Sequence, residues 1–166
     1  TDMPELVGAF NGFGGAASAL VAAAELIRVQ TTGAALVLGD GLTIALSCLI
    51  GTVTLSGSFV AFGKLKGLIS GNPITFPFQK TLNGILFLVL LGLGASVMGI
   101  FQVGGLTSLT VFAIFTVIAL LLGILLVIPI GGADMPVVVS LLNSYSGLAA
   151  SAAGFVIGNN VLISRR

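Results

Sequence analysis

The sequence predicts an all-α integral membrane protein, a bundle of about five transmembrane helices. Three observations predict it. First, the 166 residues are 57% hydrophobic and 7% charged, with a mean hydropathy of +1.23. A soluble domain carries roughly 25% charged residues, so six basic and five acidic side chains are too few to cover a globule of this size. Second, the charges cluster and leave the runs 6–24, 41–63, 81–133 and 135–164 without any. A helix needs about 20 apolar residues to cross the bilayer core; each run suffices for one crossing, and 81–133 for two with a turn between. Third, stretches such as Ile85-Leu86-Phe87-Leu88-Val89-Leu90-Leu91 lack the alternation that a transmembrane strand requires. Lipid admits only helices and closed barrels, so helices are left.

The expected spans are about 4–26, 42–63, 81–102, 106–129 and 135–158, one transmembrane domain over 1–166 with no soluble domain. The first and fifth spans share a start signature. Asp2 precedes Pro4 and Asp134 precedes Pro136, a capping carboxylate and then a proline in the first turn. Acids stand before the first run in place of a basic segment, so no cleavable signal peptide is expected. Between spans one and two lie Arg28, Gln30, Gly33, Gly39, Asp40 and Gly41. Between two and three, residues 64–80 hold Lys64, Lys66 and Lys80 and no acid. Counting basic residues places that loop, with the N-terminus, in the cytoplasm; Arg165-Arg166 at the other end argues the opposite way. Gly104-Gly105 makes the third turn, and Pro129 with Gly131-Gly132 the fourth.

The segment 2–15 repeats at 134–147. Asp, Met, Pro, Val, Asn and Gly coincide, and Phe13 aligns with Tyr145. Four crossings separate the copies, so the two helices run in the same direction. Asn11 and Asn143 then lie at one depth, roughly 13 Å from each leading Asp at 1.5 Å per residue. An amide is costly in lipid and faces the bundle interior. The two asparagines are interhelical clamps or members of a polar conduit, and Gly15 and Gly147 are expected to let another helix approach beside them. Thr54/Ser58 and Thr52/Ser56 share faces of the second span; hydroxyls there line a water path or bond back to their own helix. Gly8/Gly12, Gly147/Ser151 and Gly154/Gly158 are helix-packing spacings. Asp134 reads as an N-cap in the first instance.

Several classes are excluded. No Lys/Arg cluster with interleaved aromatics suggests a nucleic-acid partner. The lone Cys48 and the absence of histidine leave no disulfide and no transition-metal set. Residues 92–99 (GLGASVMG) mimic a nucleotide loop, but they follow no strand and lie inside a span. No ionisable residue falls near the centre of any span. A chain that moved protons unaided would carry one, so either it does not conduct or another polypeptide supplies the titrating group.

Residues 130–147 (IGGADMPVVVSLLNSYSG), 52–65 (TVTLSGSFVAFGKL) and 2–7 (DMPELV) resemble the beta subunit of proton-translocating nicotinamide nucleotide transhydrogenases. The resemblance covers nearly the whole chain and only that family's membrane domain, so the chain is expected to be a fragment or cleaved piece. It implies an enzyme that transfers hydride between NAD(H) and NADP(H) in separate soluble domains, coupled to proton passage through the membrane. This chain would carry no hydride-transfer site and bind no cofactor or metal. By position, Asn143 is similar to a path asparagine and Ser58 to a path-lining serine, with Ser146 in the same path. Asp134 matches an acid at the cytoplasmic mouth, facing the NADP-binding domain. Asn11 falls where many relatives have a histidine. A neutral amide cannot replace imidazole in a proton relay, which points to a histidine on membrane helices of the alpha subunit. The implied setting is a dimer of the assembled complex in the bacterial cytoplasmic membrane. Two other readings remain: a secondary transporter or ion channel with Asn11 and Asn143 at a substrate site, and a structural subunit of a respiratory complex.

Overall fold

The computed structural model describes residues 3–163, with side chains through residue 151 and at 154. Five helices follow one another: α1 (Met3–Thr32), α2 (Leu38–Leu65), α3 (Gln79–Val97), α4 (Ser108–Val127) and α5 (Met135–Ile163). A 3-10 turn, Gly132–Asp134, leads into α5. Helices α1 to α4 are long and apolar enough to cross a membrane. Helix α5 has 29 residues and carries the polar group Asn143, Ser144, Tyr145 and Ser146. The protein is thus an all-helical membrane bundle. Asp2, expected to cap α1, and Arg165-Arg166 lie outside the described residues.

The ends differ from the expected spans for local reasons. Helix α1 continues to Thr32 because Glu25 and Arg28 fall on one face and pair at 2.7 Å. Helix α3 stops at Val97. Gly99 takes a left-handed φ of 79°, and the Ile100 amide donates back to the Ala95 carbonyl at 3.1 Å, a left-handed glycine cap. Helix α4 starts at Ser108, where the Thr107 hydroxyl accepts from the Thr110 amide at 3.2 Å.

Helix α2 is the hub. It packs against α1, α3, α4 and α5, and glycines let the backbones meet. A Cβ on Gly15 would lie 2.5 Å from the Gly51 carbonyl, and one on Gly51 2.6 Å from the Gly15 carbonyl. On the α4 side, a Cβ on Gly123 would press on the Ser56 hydroxyl and sit 2.6 Å from the Val53 carbonyl. Lipid gives apolar helices no reason to exclude it, so such close contact is what holds them together. The expected packing spacings fare unequally. Gly8 and Gly12 face α2, with Gly12 against the Phe59 ring. A Cβ on Gly147 or Gly154 would meet nothing within 4 Å, so among the described residues no helix packs closely on Gly147 beside Asn143; Gly158 falls among residues whose surroundings are not described.

Contacts fix the directions. Gly8 lies beside Val139 and Gly14 beside Ser146, so α1 and α5 run parallel, as the repeat requires. Met98 packs on Gly41, and Gln79 reaches Leu125, so α3 runs against both α2 and α4. One end of the bundle therefore gathers Glu5, Lys64, Lys66, Lys80 and Asp134. The other holds Glu25, Arg28 and Asp40.

Candidate functional site

The buried face of α1 carries Gly8, Asn11, Gly12, Gly15 and Ser18, an i+3/i+4 stripe of small or polar residues. It brings Asn11 against Ser58 of α2. The Asn11 Nδ2 donates to Ser58 Oγ at 2.9 Å, and both residues are buried. This contact answers half of the amide's demand. The other half, Asn11 Oδ1, is out of contact with solvent and unpartnered.

The hydroxyls of α2 divide by face. Thr52 donates to the Cys48 carbonyl at 2.6 Å and Ser56 to the Thr52 carbonyl at 3.1 Å. These two bond back to their own helix. Ser58 instead faces α1, and Thr54 Oγ1 is buried with no partner.

Asn143 and Ser146 complete the site from α5. With Asn11 they line a groove of about 410 Å³ between α1 and α5, walled by Val7, Phe10 and Gly14. Asn143 is exposed in the groove. Ser146 Oγ is buried and unpartnered. Asn11 and Asn143 share a depth, because the Gly8–Val139 and Gly14–Ser146 contacts bracket them. Asn11, Ser58, Asn143 and Ser146 are therefore gathered at one place.

Asp134 is not. It sits at the bundle end on the 3-10 turn, exposed, and among the described residues its carboxylate makes no hydrogen bond or ion pair. The capping bond expected of it is absent there.

The groove offers amide and hydroxyl groups but no titratable one. An amide and a hydroxyl each donate and accept, so they can orient a water or a polar group from outside without carrying charge. Among the described residues no three His, Cys, Asp or Glu side chains gather as a metal site. Cys48 is free and buried, 3.3 Å from the Thr116 hydroxyl.

One residue was misplaced by sequence reading. Lys64 is not in a loop: it belongs to α2, 4% exposed. Its Nζ donates to the carbonyls of Asn72 at 3.2 Å, Ile128 at 2.6 Å and Ile130 at 2.7 Å. The available signal was its spacing, four residues after Val60 and three after Ala61 on the buried face. Two further polar anchors also escaped notice. Gln79 and Asn83 both donate to the Leu125 carbonyl near the end of α4, and Lys66 pairs with Glu5 at 3.0 Å.

The profile of the family described as "NAD(P) transhydrogenase beta subunit" matches residues 1–165. Two relatives named NAD(P) transhydrogenase subunit beta, both from Rhodospirillum rubrum and one from a named strain, are each 45% identical to this chain over 167 aligned positions. The alignments cover 98% of this chain and 35% of each relative. The chain spans about a third of the length of the relatives it matches.

Proposed function

The chain belongs to the NAD(P) transhydrogenase beta subunit family, and from that premise we propose that its bundle forms part of that enzyme's proton path through the membrane. The nucleotides are substrates of separate soluble domains, where hydride passes between NAD(H) and NADP(H). The bundle's share is to carry a proton between the two aqueous sides in step with that transfer.

The observation that supports this reading is the groove between α1 and α5. Two buried polar atoms, Asn11 Oδ1 and Ser146 Oγ, have no partner in it, and a buried polar group without a partner is costly. Asn11 already donates to Ser58, so its free carbonyl oxygen asks for a donor. Ser146 can accept or give. A neutral imidazole from a membrane helix of the alpha subunit meets both demands, donating with one nitrogen and accepting with the other. It also supplies the titrating group that the groove lacks. Asn143 orients water at the same depth. Asp134, exposed at the bundle end, marks the cytoplasmic mouth that faces the NADP-binding domain. The assembled enzyme is a dimer in the bacterial cytoplasmic membrane.

Asn143→Leu in the full-length subunit, assembled with its partners in proteoliposomes, tests the reading. The substitution keeps the size and removes the hydrogen bonds. Proton pumping is expected to be lost while the reaction confined to the soluble domains persists. Normal pumping with only a lowered Tm would make the asparagines packing clamps. Asn11→His is expected to be tolerated and to restore part of the pumping lost when the partner's histidine is removed.

A further inference from the structure

We propose that Lys64 is a positioning residue that binds two loops into one rigid mouth and links the turn bearing Asp134 to the Asn11–Ser58 pair. The inference rests on the proton-path reading above.

An ammonium has three protons to donate. In Lys64 all three find backbone oxygens, and the acceptors come from two segments. Asn72 lies in the α2–α3 loop, Ile128 caps the C-terminus of α4, and Ile130 begins the turn into Gly132–Asp134. The carbonyls at the end of a helix have no partner within it, and they carry the negative end of its dipole. A buried cation there satisfies both conditions. No carboxylate is among its hydrogen-bond partners, so Lys64 neutralises no charged group; it ties backbone to backbone.

Two backbone bonds reinforce the tie. The Gly132 amide donates to the Gly71 carbonyl at 2.7 Å, and the Ile74 amide to the Ile128 carbonyl at 3.2 Å. Residues 71–74 and 128–132 thus move together, with Lys64 at their centre. Asp134 stands four residues beyond Ile130. Ser58 stands six residues before Lys64 on the same helix, with its Oγ held by Asn11. A push on the loops from a domain docked at this end is transmitted along α2 to the buried pair, and along α5 to Asn143.

The test separates holding from chemistry. In the assembled full-length enzyme, Lys64→Met removes all three bonds. Coupled transhydrogenation and pumping are expected to fall by up to about a hundredfold, as for a displaced catalytic geometry, while the soluble-domain reaction persists. A second variant adds Gly71→Cys and Gly132→Cys. A Cβ built on Gly132 lies 3.3 Å from the Gly71 Cα, which brings the two Cα atoms within disulfide range, and the native Cys48 is buried out of reach. Oxidation of that pair in the Lys64→Met background is expected to restore pumping, and reduction to abolish it again. If the disulfide forms and restores nothing, or if both activities fall in proportion, Lys64 is not a positioning residue. Loss of pumping in Asn143→Leu alongside either result would sink this inference alone; normal pumping in Asn143→Leu would remove the proton-path reading beneath it.

Discussion

Gly15→Ala tests how closely the packing of α1 on α2 is tied to the polar pair. The added Cβ would lie 2.5 Å from the Gly51 carbonyl and 3.0 Å from the Leu55 amide nitrogen. Both are backbone atoms of a hub helix held on its other side by Gly123, so neither can swing away. Restoring a carbon contact of about 3.4 Å needs the helices to part by about 0.9 Å. The Asn11–Ser58 bond lies one turn away, at 2.9 Å. Parted by the same amount it reaches about 3.8 Å, too long for a hydrogen bond. Overpacking costs about 1–3 kcal/mol, and alanine regains about 0.5–1 kcal/mol of backbone entropy, so the net loss lies between about 0 and 2.5 kcal/mol and centres on about 1 kcal/mol. The lost bond itself adds only about 0.6 kcal/mol in a membrane bundle. Stability is thus governed by the clash, and activity by the smaller change. Thermal unfolding of the solubilised complex should show a lowered Tm, and proteoliposomes should show reduced pumping. Gly14→Ala is the control: its Cβ opens on the groove, 4.0 Å from Ser146 Oγ, so it should raise Tm slightly. A Gly15→Ala protein with unchanged Tm and full pumping would refute the reasoning.

Other expectations follow from the bundle ends and from the all-helical described residues. A cysteine in place of Gly71 should react with impermeant reagent from the cytoplasmic side, following the three lysines of that end; labelling from the opposite side would invert the mouth. Asp134→Asn should lower coupled transhydrogenation and leave the melting profile unchanged, because among the described residues the carboxylate supports no hydrogen bond; unchanged coupled activity would overturn the role proposed for Asp134. Calorimetry on the isolated chain should detect no NAD(H) or NADP(H) binding, since the described residues form helices only and hold no strand-turn-helix phosphate cradle; saturable micromolar binding would contradict this.

Helix number and direction could be read from the sequence because they depend on where charge is forbidden. The runs between Glu5, Glu25, Asp40, Lys64, Lys80 and Asp134 leave little choice, and the repeat at 2–15 and 134–147 carries the parallel pairing of α1 with α5. Asn11 and Asn143 stood out for the same reason, an amide where lipid tolerates few. The packing partners could not be read. With 24 glycines in the chain, spacing favoured Gly147, which meets nothing, and passed over Gly51 and Gly123, where backbones touch. Which glycine matters depends on the crossing point of two helices far apart in sequence. Ser58 and Ser56 are likewise alike in sequence, and only the neighbouring α1 separates a shared hydroxyl from one turned back on its own helix. Lys64 was hidden by its type: a lysine at a span end reads as solvated, and its three acceptors lie 8, 64 and 66 residues away.

The placement of charge has an electrical consequence. Glu5, Lys64, Lys66, Lys80 and Asp134 sit at one end, and Glu25, Arg28 and Asp40 at the other, with uncharged helix between. A membrane voltage does work only on charge displaced along its field, about 2.3 kcal/mol per elementary charge per 100 mV. Side-chain rearrangements of Asn11, Ser58, Asn143 and Ser146 move no ionised group through that field, whereas a slide of α1 would carry Glu5, Glu25 and Arg28 with it. Rearrangement of the polar side chains in the groove is therefore voltage-silent, and a membrane potential would act there only on a charge brought in from outside or on a helix displaced as a whole.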